Sequence, residues 1–208
     1  MNVDIPVETR LLTVCGSLQR RSANRAVLAV ASGVAVSAGA TVDSFDRLAE
    51  VPAFDPDRAG EPIEVIDDWR RRAAAADAVL VATPEYAGPV AGAVKNAFDW
   101  LVGGGELYRK PVAVLSAGTS GGFHARRMLA QTLTWQGAYI VAELGIASPR
   151  AKFDDAGRIT DVGTAAALRS VTETLLAAPR MTATDLVARA TAVVASLDID
   201  VAHIAPAA

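Results

Sequence analysis

Three short stretches of this chain gather hydroxyls, amides, glycines and charge at spacings that can do chemistry. The first, Gly16-Ser17-Leu18-Gln19-Arg20-Arg21-Ser22-Ala23-Asn24, runs directly into an apolar, helix-like segment. A helix start offers free N–H groups and the positive end of its dipole, so this stretch suits a phosphate. Ser17, Ser22 and Asn24 can donate to it, and Arg20 or Arg21 can add charge. Ser22 and Asn24 are also preferred helix caps, a structural role that accounts for either residue taken alone. The stretch lacks both the G-x-G-x-x-G and G-x-x-x-x-G-K-[ST] patterns, which makes a monophosphate the less demanding fit. The second stretch is Thr83-Pro84-Glu85-Tyr86-Ala87-Gly88-Pro89-Val90-Ala91-Gly92, bent by proline and glycine. The third is Ser116-Ala117-Gly118-Thr119-Ser120-Gly121-Gly122, whose glycines let a ligand approach the backbone.

Other reactive residue types have competing readings. His124, just beyond the third stretch, can face a ligand or sit exposed on a first helical turn. Gly118-Thr119-Ser120-Gly121-Gly122 matches G-x-S-x-G, with Asp198 and His203 following in triad order, so Ser120 is a candidate hydrolase nucleophile. Against that, His203 falls in a loosely constrained tail and the first two stretches are left without a role. Glu85 can line a ligand or only orient loop backbone. Lys95 and Asp99 are four apart and read as a helical ion pair. Asn96 can tie its helix to the loop before it, while Trp100 reads as packing or as a subunit contact. Cys15 reads as a small apolar residue rather than a redox thiol.

The elements that must position these residues alternate. Arg10–Gly16, Thr41–Phe45, Ala78–Ala82, Pro111–Leu115 and Tyr139–Ala142 read as strands. Asn24–Ser37, Pro62–Ala76, Ala93–Leu101 and Ala125–Trp135 read as the helices between them, with Ile63, Ile66 and Trp69 toward one face. Ala78–Ala82 has no polar alternation, as befits a strand buried on both faces. The pattern predicts an α/β fold with a parallel sheet, and such a sheet gathers all three stretches at its carboxyl edge. Beyond a turn at Phe153–Ile159, helices Val162–Ala177 and Thr182–Ser196 form a C-terminal extension of the same domain over 162–197. A flexible tail is expected from 198 to 208, and no linker divides the 208 residues.

Composition narrows the class. With 51% hydrophobic residues the chain can bury a full core. One cysteine and two well-separated histidines offer neither a disulfide framework nor a metal cluster, so no metal is expected. A net charge of −3 gives no footprint for nucleic acid. Met1–Arg10 lacks the design of a signal peptide, and uncharged Ala26–Val42 is too polar for a membrane span, which points to a cytoplasmic protein without membrane insertion.

Taken together, Gly16-Ser17-Leu18, Ser22, Asn24, Pro84-Glu85-Tyr86, Gly92, Lys95-Asn96-Ala97 and Asp99-Trp100 resemble the NADPH-dependent FMN reductase family over roughly Leu11–Ile146. The resemblance implies a flavodoxin-like open sandwich with sheet order 2-1-3-4-5. It implies FMN as cofactor, with Ser17, Gln19, Arg20, Arg21, Ser22 and Asn24 around its phosphate. Pro84, Glu85, Tyr86 and Ala87 would line the ribityl and ring region, and Ser116, Gly118, Thr119, Ser120 and Gly121 the other side. It further implies NADPH or NADH as reductant, a quinone, free flavin or other small electron acceptor, ping-pong turnover, and a homodimer or homotetramer. A flavin-binding electron carrier or redox sensor without efficient NAD(P)H turnover is the alternative, because flavin binding alone does not make a reductase. Gln19 stands where the family often has arginine, and Ala87 where it often has asparagine. Arg20, Arg21, Arg126 and Arg127 are the arginines available to an extra 2'-phosphate.

Overall fold

Alternating side chains on each strand divide the interior into two layers of core. In the computed structural model, which describes residues 8–154 and 156–204, Leu12, Val14, Val79, Val81, Val112 and Val114 face one way. Leu11, Leu80, Ala82, Ala113 and Leu115 face the other, the two-residue period of a strand covered on both faces. The strands are β1 (Arg10–Cys15), β2 (Thr41–Phe45), β3 (Ala78–Ala82), β4 (Pro111–Gly118) and β5 (Tyr139–Ala147). They form one parallel sheet in the order β2-β1-β3-β4-β5, the flavodoxin-like arrangement.

Helices α1 (Ala23–Ser37) and α5 (Val162–Ala177) cover one face through Val27, Ala31, Leu168 and Leu175. The other carries α2 (Glu64–Ala75), α3 (Gly92–Asp99) and α4 (Phe123–Trp135), through Ile66, Trp69, Phe98, Leu129 and Leu133. The last helix, α6 (Ala183–Ser196), lies along the sheet edge and serves both layers, with Leu186 and Ala190 in one and Val194 in the other. Its Arg189 donates to the Val141 carbonyl at 2.8 Å, answering an acceptor on the exposed side of an edge strand.

Two strands are longer than their apolar runs predict. β4 continues through Ser116–Gly118 and β5 through Glu143–Ala147, because Ser116 pairs with Gly145, Ala117 with Ile146 and Gly118 with Ala147. Ser116 is therefore a strand residue rather than part of a loop. Of the expected tail, residues 205–208 lie outside the described residues. Val201–His203 forms a 3-10 turn, with the His203 ring 4.5 Å from that of Trp135. No helix among the described residues is long and apolar enough to cross a membrane.

Candidate active site

The strand register brings the three stretches level. Cys15 pairs with Ala82 and Ala82 with Leu115, and the next residues continue the ladder: Gly16 N donates to Ala82 O at 2.7 Å, Thr83 N to Leu115 O at 2.9 Å. Gly16, Thr83 and Ser116 thus stand in a row where β1 and β3 send their chains to opposite sides, the switch point at which open α/β sheets bind ligands. Gly16 has no room for a side chain. A Cβ there would collide with Val94 on α3 and lie 3.1 Å from both Ala82 O and Thr83 Cα.

From this row the first stretch turns outward. Ser17 is buried and its hydroxyl accepts from Gln19 N at 3.3 Å, while Leu18, Gln19, Arg20 and Arg21 are exposed. Ser22 caps α1 by accepting from Asn24 N at 3.2 Å, leaving the other first-turn amides without an intrahelical acceptor. Asn24 points inward. It is 2% exposed, its Oδ1 accepts from Ala117 N at 2.8 Å and its Nδ2 donates to Ala117 O at 3.1 Å. Both ends of that amide are thus engaged by β4, a tether the residue's type alone did not reveal.

The second stretch is a tight hairpin. Glu85 bridges Val90, Tyr86 N donates to Pro89 O at 3.2 Å, and Ala87 and Gly88 take φ of 56° and 97°. A left-handed alanine costs about 1 kcal/mol or more, which explains why asparagine or glycine suits this position better. Pro84 is buried and Tyr86 is 58% exposed. Glu85 is half-buried. Its Oε2 accepts from Ala125 N at 3.1 Å in the first turn of α4, and its Oε1 lies 3.5 Å from Ser120 Oγ.

The third stretch doubles back over the sheet. Gly121 and Gly122 take φ of 80° and 63°, and a Cβ on Gly122 would strike the Ser116 hydroxyl. Ser116 is fully buried, and its Oγ has no hydrogen-bond partner among the described residues. Gly118 is half-buried, whereas Thr119, Ser120 and His124 are exposed, the His124 ring edge-on to Phe123 at 5.5 Å.

Beneath this loop lies Arg126, one of the four arginines that the sequence makes available to an extra 2'-phosphate. It is 8% exposed, donates to Gly121 O at 3.1 Å and pairs with Glu143 on β5. Burial lowers its pKa from the ordinary value, against the raising influence of Glu85. Arg127 is likewise engaged, by the carbonyls of Leu197 and Asp198. Only Arg20 and Arg21, of the four arginines considered, stand exposed at this edge.

Several neighbours prove structural. Lys95 pairs with Asp99. Asn96 reaches past the loop before its helix, accepting from Phe54 N and donating to Pro52 O, both at 2.8 Å. Trp100 is buried and donates to the same Pro52 carbonyl at 3.0 Å. The Ser120–His203 triad does not assemble: Ser120 precedes α4 and His203 rests on Trp135 at its far end, about 18 Å away at the helical rise. Among the described residues, no group of three or more His, Cys, Asp or Glu can hold a metal ion.

The fold and site thus define an open α/β protein with a phosphate-suited helix start and glycine turns gathered at the switch point. A family model described as NADPH-dependent FMN reductase matches residues 9–152, and this chain belongs to that family. An NAD(P)H-dependent FMN reductase of Pseudomonas aeruginosa is 35% identical over 162 residues, 74% of this chain and 86% of the relative. A quinone reductase of Pseudomonas putida is 33% identical over 71% of this chain and 83% of its own length. Among solved structures, the flavoenzyme NAD(P)H:(acceptor) oxidoreductase FerB from Paracoccus denitrificans superposes with a TM-score of 0.69 at 24% identity, covering 81% of this chain and 95% of that one. The family match ends before α5, so both C-terminal helices lie beyond it.

Proposed function

We propose that this chain binds FMN across the carboxyl edge of its sheet and passes reducing equivalents from NADPH or NADH to a small acceptor such as a quinone or free flavin. The observation that carries the reading is the level row of Gly16, Thr83 and Ser116, with a capped helix start on one side and a glycine turn on the other. The residues fit the group: a buried, unpartnered Ser116 hydroxyl and side-chain-free glycines suit a polar ring, and the start of α1 suits a monophosphate. When bound, FMN supplies the electron-transfer chemistry, which the protein positions and tunes.

In this reading Ser17, Gln19, Ser22 and the exposed Arg20 and Arg21 hold the phosphate. Asn24 acts indirectly, by locking the start of α1 to β4. Pro84, Glu85, Tyr86 and Ala87 wall one side of the crevice, and Ser116, Gly118, Thr119, Ser120 and Gly121 the other. Exposed His124 meets the acceptor at the crevice mouth. Nicotinamide and acceptor visit one crevice in turn, which gives ping-pong kinetics. The exposed Tyr86 and Phe123 beside the crevice support a homodimer or homotetramer in which a second subunit completes its outer wall.

Anaerobic titration tests the reading. Purified protein should take up FMN with visible flavin absorbance, and NADPH or NADH should bleach it within seconds. Absence of FMN uptake at saturation would remove the proposal, and uptake without bleaching would leave an electron carrier in its place. Ser17→Ala should weaken FMN uptake about tenfold, the equivalent of about 1.4 kcal/mol.

A further inference from the structure

Glu85 sits where two walls of the crevice meet, and its contacts are unusual for a half-exposed loop carboxylate. It accepts from Ala125 N at 3.1 Å in the first turn of α4, so it answers a helix-start amide from a segment 40 positions earlier in the chain. Its other oxygen faces Ser120 Oγ at 3.5 Å, and its Cβ lies 3.6 Å from where a Cβ on Gly122 would be. Fixed positive charge, apart from that at the start of α1 and on Arg20 and Arg21, lies in the same place. A helix start carries roughly half an elementary charge, and Arg126, in that first turn, is buried under Gly121 O. Glu143 pairs with Arg126 from the strand side. Glu85 is the carboxylate that reaches the same helix start from the crevice side.

We propose that Glu85 is a positioning residue that offsets the positive end of α4 and so keeps the reduction potential of FMN bound in this crevice low. The inference rests on the FMN reading above and deepens it. Its physical basis is that the reduced ring carries a negative charge which the oxidised ring lacks. A helix start and a buried guanidinium favour that charge, and a carboxylate at the same point opposes it. Without the carboxylate, reduced FMN gains affinity relative to oxidised FMN and the potential rises. The carboxylate also holds the 83–90 hairpin against α4, so its loss loosens the crevice as well as recharging it.

The test separates these two effects. Glu85→Gln keeps an oxygen for Ala125 N but removes the charge, while Glu85→Asp keeps the charge on a shorter arm. Spectroscopic redox titration of the FMN-loaded protein should place Glu85→Gln higher than wild type, with reduced FMN favoured about tenfold, or about 30 mV for a two-electron couple. Glu85→Asp should stay near the wild-type potential while binding oxidised FMN more weakly. Glu173→Gln, which removes a distant charge on α5, should move neither quantity. An unmoved or lowered potential in Glu85→Gln overturns the inference, as does a Glu85→Asp shift as large as that of Glu85→Gln. Wild-type protein that takes up no FMN overturns the functional reading and this inference with it, whereas wild-type uptake with an unmoved variant potential overturns this inference alone.

Discussion

The two edges of the same sheet are built on opposite terms. At the amino edge of β1 and β3, backbone and side chains answer one another, although Glu106, Thr134 and Gln136 nearby each keep a buried oxygen without a hydrogen-bond partner among the described residues. Arg10 N donates to Asp77 Oδ2 at 2.8 Å, the two side chains form an ion pair at 3.2 Å, and Asp77 N returns a bond to Arg10 O at 2.9 Å. Lys110 closes the end of α2 by donating to the carbonyls of Ala73 and Ala74, and burial lowers its pKa from the ordinary value. Cavities of 160 and 200 Å³ remain at this edge, lined by residues such as Thr41, Arg72, Ala38 and Glu173, and none of the three stretches reaches either. They are gaps between packed elements, smaller than the few hundred Å³ that ligand sites usually occupy. At the carboxyl edge glycine turns replace side chains, the Ser116 hydroxyl is buried without a partner among the described residues, and Gln19, Arg20, Arg21, Thr119 and Ser120 are exposed. The Arg10–Asp77 end spends its polar groups on stability, and the carboxyl edge is the one the FMN reading above gives to a ligand.

The comparison breaks most readily at Gly16. Gly16→Val adds atoms where even a Cβ collides with Val94 and crowds the backbone of Ala82 and Thr83, so about 3 kcal/mol of stability should be lost. Denaturant unfolding followed by the buried Trp69 and Trp100 would measure it, and FMN uptake should fall with it. Retained stability and uptake would show that the row can shift without harm. Next in size is Asn24→Ala, which strips partners from a buried N–H and C=O of Ala117 and should cost about 2 kcal/mol. Under conditions where the variant is fully folded, its FMN affinity should change by less than about tenfold, or less than about 1.4 kcal/mol. A complete loss of uptake at unchanged stability would instead return Asn24 to the phosphate.

Asn24 also marks where reading the chain by pattern stops. The five strands and the clustering of three stretches at one edge follow from short-range periodicity, because a strand buried on both faces has a local signature in Ala78–Ala82, whereas the order of the strands is what the family resemblance implies. The extensions of β4 and β5 carry no such signature. Ser116–Gly118 and Glu143–Ala147 mix small and polar residues, and only mutual pairing holds them in the sheet. The site's tethers are less legible still. Asn24 and Ala117 are 93 positions apart, Glu85 and Ala125 are 40 apart, and Asn96 binds Pro52 and Phe54 across more than a helix. Each residue type allowed the role, and only the fold chose the partner. Arg126 gave a misleading signal, because an arginine after a glycine turn looks available until the loop closes over it.

The smallest expected effect belongs to the amino edge and tests whether the two edges are independent. Burial pushes the Asp77 carboxyl up, but the hydrogen bonds and charge of Arg10 outweigh it and hold its pKa below the ordinary value. A carboxyl depressed in the folded state contributes stability above its unfolded pKa and loses that contribution as pH falls through the folded value. Asp77→Asn should therefore be slightly less stable than wild type at neutral pH, by less than Asn24→Ala, and the difference should shrink as the medium is made acid. Because the pair is largely in contact with solvent, added salt should shrink it too. Paired urea titrations at neutral and acid pH would read the difference, and FMN affinity in the same variant should stay at the wild-type value. A loss of FMN affinity in Asp77→Asn would mean that the amino edge sets the level of the Gly16 row through β1 and β3, and that the division of labour between the edges fails.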